Sequence, residues 1–172
     1  RGHTAEAVYK AHKLLREHGF KTGVQLMVGL PGQDFSSVQQ TATEVARLKP
    51  DIARIYPVLV IKDTPLAASY ARDEYEPLSL EEAVEQSAYV YKVLTKAGIK
   101  VIRIGLQPDE ELCTPGNIVA GPFHPSMGEL VKSRVLRNHF TPILQELAAG
   151  GARGVIFHCP RRYESKLRGL KS

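Results

Sequence analysis

Three short stretches carry the residues that could do chemistry. The first is the turn Gly29-Leu-Pro-Gly-Gln33, which follows an apolar run and precedes a helical pattern. Two glycines let a ligand approach the backbone, and a helix N-terminus favours anions. No Lys-Ser/Thr follows, so it is not a Walker phosphate loop, and such turns mostly just turn. The second stretch holds Arg54, polar within an apolar run, and Tyr56, either a hydrogen-bond donor and stacking ring or a core tyrosine. The third ends at Gln107, a polar candidate or a plain turn residue. Among the histidines, His124 in Gly121-Pro-Phe-His-Pro125 is the better candidate, since it lies in a loop flanked by Gly and Pro and loops carry function more often than helix surfaces do. His3 also lies in a loop, whereas His12 and His18 are expected on a helix surface. Cys113, His124, His158 and Cys159 match no zinc spacing. No Ser–His–Asp set or paired carboxylates can be read, and Glu110 and Glu111 are expected to be solvated.

The elements that must position these groups are legible from pattern. Thr4 can cap a helix to about His18, with Ala7, Val8, Ala11, Leu14 and Leu15 on its apolar side and Gly19 as its stop. Val24–Val28 reads as a buried strand. Asp34, Ser36 or Ser37 can cap a helix carrying Val38, Ala42, Val45 and Leu48, which Pro50 ends. Ile52–Ile61 reads as a second strand with Pro57 at a bulge or end. Thr64-Pro65 opens a short helix. Ser79-Leu-Glu-Glu82 fits a capping box for a helix ending at Gly98, with Ala83, Val84, Ala88, Tyr91 and Leu94 inward. Ile99–Ile104 is a third strand. The order αβαβαβ with short connections predicts an α/β fold with a parallel sheet and crossover helices. Residues 105–125 read as a loop. Ser126 is expected to cap a further helix that Pro142 breaks or restarts, Gly150-Gly151 is a linker, and Val155–Cys159 is expected to be a last strand. The domain boundary is placed between 1–104 and 105–172. Three parallel strands leave an open edge, so preceding βα units are expected upstream, in keeping with a first residue other than Met.

Composition limits the rest. Hydrophobic residues at 43% and charged residues at 24% indicate a globular chain with a real core. No apolar run reaches a membrane span, no signal peptide is visible, and two cysteines make no disulfide framework, so a cytoplasmic location is expected. The net charge of +5 is all in the tail: Arg153, Arg161, Arg162, Lys166, Arg168 and Lys171 stand against Glu164 alone. Such a tail reads either as a nucleic-acid or anionic-lipid contact or as a solvated end.

Taken together, the segments are more specific than any one of them. Arg1-Gly-His-Thr4, Gln25-Leu-Met-Val-Gly-Leu-Pro-Gly-Gln33, Arg54-Ile-Tyr-Pro-Val-Leu-Val-Ile-Lys-Asp-Thr-Pro-Leu66 and Ile102-Arg-Ile-Gly-Leu-Gln-Pro108 resemble the second half of a radical S-adenosylmethionine (radical SAM) protein, in the branch of the Elongator catalytic subunit. Ala120-Gly-Pro-Phe-His-Pro-Ser-Met-Gly-Glu-Leu-Val131 resembles the C-terminal extension of bacterial members. The resemblance implies the second half of a partial (β/α)6 TIM-type barrel with a small C-terminal α/β extension. It also implies a [4Fe–4S] cluster on a CxxxCxxC loop, with SAM on the fourth iron; the cluster's electron cleaves SAM to a 5′-deoxyadenosyl radical that takes hydrogen from substrate. This chain has no CxxxCxxC, so the cluster and strands one to four are expected in an upstream half of the same barrel. The resemblance carries SAM contacts to Gln25, Met27, Gly29 and Gly32 on one strand and its exit, and to Tyr56, Pro57 and Val58 on the next. Gln25 stands where some relatives have an acid. Gln107 and His124 are substrate-side candidates, and tRNA is a possible partner and substrate. The alternatives are a tRNA-binding module using the basic tail, or an unrelated phosphate-binding barrel enzyme using the Leu30–Gln33 turn.

Overall fold

The computed structural model describes residues 4–107, 112 and 114–169. His3, Glu110, Glu111 and Cys113 lie outside them, as do Arg1, Gly2 and Lys171. Helix α1 spans Ala5–Glu17 and is capped by Thr4, whose hydroxyl accepts from the Ala7 N–H. Its burial reverses the expectation. Val8, Leu14 and Leu15 are 43%, 56% and 45% exposed, while His12 is buried. The reason is that α1 meets the rest of the chain through polar residues. Tyr9 donates to Glu44, Arg16 donates to the Lys49 carbonyl, and His12 meets Thr22.

Strands β1 (Gly23–Val28), β2 (Ile52–Pro57) and β4 (Lys100–Ile104) form a parallel sheet in the order β1-β2-β4. The crossovers are α2 (Phe35–Leu48) and α4 (Leu80–Lys96). Asp34 caps α2, and Ser79 with Glu82 closes the expected capping box on α4. One sheet face carries Leu26, Val28, Ala53 and Ile55, which pack against Val38 and Ala42 of α2 and Val90 and Leu94 of α4. Tyr91 is only half-buried. No described helix is long and apolar enough to cross a membrane.

The expected strand Ile52–Ile61 is two strands. Pro57 ends β2, the Val58 N–H returns to the Val28 carbonyl at 2.9 Å, and the chain then leaves the sheet. Val60–Ile61 (β3) instead pairs antiparallel with Ile118–Ala120 (β5), inside the stretch expected to be loop throughout. Helix α3 (Pro65–Ala71) follows its Thr64 cap.

Helix α5 (Met127–Ala149) docks on α4 through Met127 and Val131 against Val84 and Ala88. Ser126 makes no side-chain cap; its N–H donates to the His124 Nδ1 instead. Pro142 does not break the helix. An interior proline removes one helical hydrogen bond, but Asn138, whose carbonyl is freed, lies on an exposed stretch open to solvent. The expected strand Val155–Cys159 is irregular, with Ile156 82% exposed. Among the described residues no strand pairs with it, and the edge of Phe157 meets Phe140 at 5.0 Å between centroids. A short 3₁₀ turn (Arg161–Tyr163) leads into helix α6 (Glu164–Arg168), which packs against α5.

Candidate site on the open face of the sheet

The second face of the sheet is open at Gln25 and Arg54, while Met27 packs against the cluster of Val58, Val60 and Tyr75 that Leu66, Ala67 and Tyr70 of α3 also meet; its residues follow from the two-residue period of strands. On β1, Gln25 is exposed and Met27 half-buried; on β2, Arg54 is exposed and Tyr56 half-buried. Parallel register sets Gln25 beside Arg54 and Met27 beside Tyr56. Arg54 in turn lies beside Arg103 of β4. The face therefore shows a polar row, Gln25–Arg54–Arg103, and one step nearer the strand ends a row of thioether and phenol. Three of the candidate residues, Gln25, Met27 and Tyr56, are brought together here.

The turn after β1 forms the rim. Gly29 and Gly32 both have positive φ, +85° and +72°, but for different reasons. A Cβ on Gly29 would lie 3.0 Å from the Leu78 side chain, whereas beside Gly32 there is open space. Gly29 is thus held by packing, and Gly32 leaves room for a ligand. The Gln33 side chain folds back so that its Oε1 accepts from the N–H groups of Gly29 and Leu30, at 2.9 and 3.2 Å. Those two donors are therefore used internally. The α2 N-terminus is likewise occupied: the Asp34 carboxylate accepts from the Ser37 N–H at 2.7 Å, and hydrogen bonds from the Ser37 hydroxyl and N–H hold that carboxyl below its usual range. A phosphate at this turn would have to displace both side chains.

The remaining candidates are dispersed. The Val58 side chain is buried with Val60 and Tyr75, and its N–H is in the sheet. Pro57 and His124 line the same cavity of about 10 Å³, about the room of one water, under the Gly105 turn. The His124 Nδ1 is engaged at the start of α5, and Gln107 accepts from the Arg103 Nη1 at 2.6 Å. Among the described residues, no group of three metal-ligating side chains occurs.

Three further residues shape the rim and the open face without a mark in the local sequence. Strand alternation does not mark Arg103, because a β-bulge sets its register. Gln33 looked like turn composition, and Tyr75 sits in a stretch without pattern. His12, expected on a helix surface, is buried. It forms a buried contact with Thr22, whose N–H donates to Asp51 at 2.7 Å, at the opposite end of the strands from the rim.

Residues 50–137, just over half of the chain, match the family described as Radical_SAM C-terminal domain. The chain is 37% identical over 134 residues to a tRNA uridine(34) acetyltransferase of Methanocaldococcus jannaschii, covering 76% of this chain and 24% of that protein. It is 31% identical over 93 residues to human Elongator complex protein 3, covering 52% of this chain and 17% of that protein. A solved structure, the Methanocaldococcus infernus Elp3 with an N-terminal deletion, superposes with a TM-score of 0.70 at 32% identity, covering 81% of this chain and 32% of that one. The chain thus spans about a quarter or less of these curated relatives. The match over residues 50–137, with the similarity to these relatives, shows that the chain belongs to the Radical_SAM C-terminal domain family, within the Elongator protein 3-like branch of radical SAM proteins.

Proposed function

We propose that this chain is the SAM-facing wall of a partial (β/α)6 barrel in a radical SAM enzyme that modifies tRNA. The observation that carries the reading is the open sheet face. Met27 and Tyr56 lie side by side in register there, one step from Gln25 and below the Gly32 turn, which has space beside it. A thioether and a phenol suit the flat face of an adenine, and Gln25 and backbone groups suit a ribose. In this reading residues 1–104 belong to the barrel and 105–172 to an extension. The substrate assignment follows the tRNA uridine(34) acetyltransferases among the relatives. The exposed Arg153 and Arg161 of the tail would add sequence-independent attraction to tRNA.

The residues present fit the adenosine part of SAM. They do not fit the cluster: two cysteines without CxxxCxxC spacing cannot supply three thiolates, so its ligands must come from other residues. When bound, the cluster supplies the electron that cleaves SAM. What this chain would do is seat the adenosine and exclude water from it.

The test is a longer protein that includes a CxxxCxxC region, prepared anaerobically. The expected result is iron–sulfur absorbance and reductive formation of 5′-deoxyadenosine, with KM for SAM raised by Tyr56→Ala and Met27→Ala. A colourless, iron-free preparation would overturn the reading.

A further inference from the structure

We propose that the cavity between α4, α5 and α6 binds an alkyl carboxylate, with the chain along α5 and the head group on Arg137 and Lys166. The cavity follows from helical spacing. Leu130, Arg137 and Leu144 are separated by two turns each on α5, so they share one face. Leu80 and Val84 line the cavity from α4, and Leu167 lines it from α6. The space is about 560 Å³, within the range of about 300–1,000 Å³ usual for small-molecule sites. It lies beyond α4 on the helix-covered side of the sheet, since α4 packs on that face and α5 packs on α4. Nothing in it depends on the open face or on the tRNA reading.

The lining is graded. Val84 is buried and Leu130, Leu144 and Leu167 are half-buried, whereas Arg137 is exposed. The cavity is thus apolar inside and cationic toward its mouth, as an amphipathic anion requires. Two other cations of the lining are engaged by carboxylates. Arg134 meets Glu81 and Glu85 at 2.6 and 2.7 Å, and Arg168 meets Glu164 at 2.8 Å. Arg137 and Lys166 make no such pair among the described residues; the Lys166 Nζ instead lies 5.3 Å from the centre of the Tyr163 ring. A guanidinium fork matches the two oxygens of a carboxylate. His124 also lines the cavity. Its Nδ1 accepts from the Ser126 N–H, so the neutral ring carries its proton on Nε2 and can donate from there. Six lining residues are leucine or valine, which suits a flexible chain and would leave the polar edge of a nucleobase unpaired. The two phenylalanines of the lining, Phe140 and Phe157, stand edge to face and form no parallel slot for a base.

The experiment titrates decanoate into the 172-residue chain by calorimetry, with decanol as the neutral counterpart and leucine methyl NMR signals to report the place of binding. The expected result is that both ligands shift the Leu130, Leu144 and Leu167 signals and that decanoate binds about tenfold more tightly. Arg137→Gln should remove that advantage and leave decanol binding and melting temperature unchanged. Leu144→Trp should fill the cavity and abolish binding of both. Should Leu144→Trp fail to fold, Arg137→Gln, at an exposed position, still decides the head-group contact. Equal affinity for decanoate and decanol overturns the charged seat. Uridine monophosphate that displaces decanoate at a similar concentration overturns the alkyl occupant. Leucine signals that move with neither ligand, or shifts spread alike over the whole surface, overturn the site altogether.

Discussion

The phenol of Tyr75 donates a hydrogen bond of 2.6 Å to the carbonyl oxygen of Gly29, from a position 46 residues further along the chain. Tyr75 is 8% exposed, and burial pushes its phenol pKa up. The contact ties the turn after β1 to the segment between α3 and α4. Tyr75→Phe keeps the ring and leaves the buried carbonyl with one partner fewer. The expected cost is about 1–2 kcal/mol in urea unfolding, together with faster hydrogen exchange at the turn amides. Unchanged exchange at Gly29 and Leu30 would show that the turn does not depend on this bond.

The two turn glycines should respond differently to alanine. Both replacements adopt a left-handed backbone, at about 1–2 kcal/mol. At Gly29 the added methyl also meets Leu78 at 3.0 Å, whereas at Gly32 it meets nothing. Gly29→Ala should therefore be the more destabilising by about 1 kcal/mol or more. Leu78→Ala should recover part of that difference and none of the Gly32→Ala cost. A double-mutant cycle by chemical denaturation checks this, and an equal response at both positions would sink the packing argument.

Local chemistry made the elements legible, and pairing decided what sequence could not show. Thr4, Asp34, Thr64 and Ser79 each cap the helix expected of them, because a cap is written within four residues. The break between β2 and β3 depends on β5, some 60 residues away, and nothing local announces that partner. The same holds in the site. Gln25, Met27 and Tyr56 were named through the family resemblance, and simple alternation along the strands puts them on one face. Arg103 joins them only because a bulge in β4 shifts its register. His12 was misplaced for a related reason: the apolar stripe of α1 says which side could be buried, and only Thr22 and Asp51 decide which side is.

That histidine predicts a pH dependence. His12 is held below its usual range first by burial and then by Arg16, while Asp51 acts in the opposite sense. Its folded pKa therefore lies below the unfolded value of about 6.5. As pH falls, the unfolded state takes up the proton first. The stabilisation is fully present above about pH 6.5 and is lost as pH falls toward the folded pKa. The carboxyls of Asp34, Asp51 and Glu82 are also held low, so their contributions are lost only at more acid pH, below about 4. Urea unfolding between about pH 7 and pH 5 should show a decline that His12→Gln reduces. An identical decline in the variant would remove His12 as its source.

The seam between β4 and α5 offers the sharpest structural test. Gly105 has φ +80°, and a Cβ there would lie 2.7 Å from the Met127 Cβ, a distance that real Cβ atoms essentially never show. That atom is fixed to the first turn of α5, so the clash cannot be relieved by rotating a side chain. Gly105→Ala should therefore combine left-handed strain with overpacking, at about 2–4 kcal/mol. The displacement should spread to the neighbours of Met127, loosening the Ser126 hydrogen bond to His124 and the packing of Val131 on Val84. Met127→Ala leaves a Cβ in place, so it should rescue Gly105→Ala only slightly; Met127→Gly should rescue it more. Melting temperatures of the three single variants and the two double variants, with the His124 side-chain resonance as a local probe, decide the matter. If Gly105→Ala unfolds like the parent and the His124 resonance stays in place, the close approach of β4 and α5 is not what holds the C-terminal helix against the sheet.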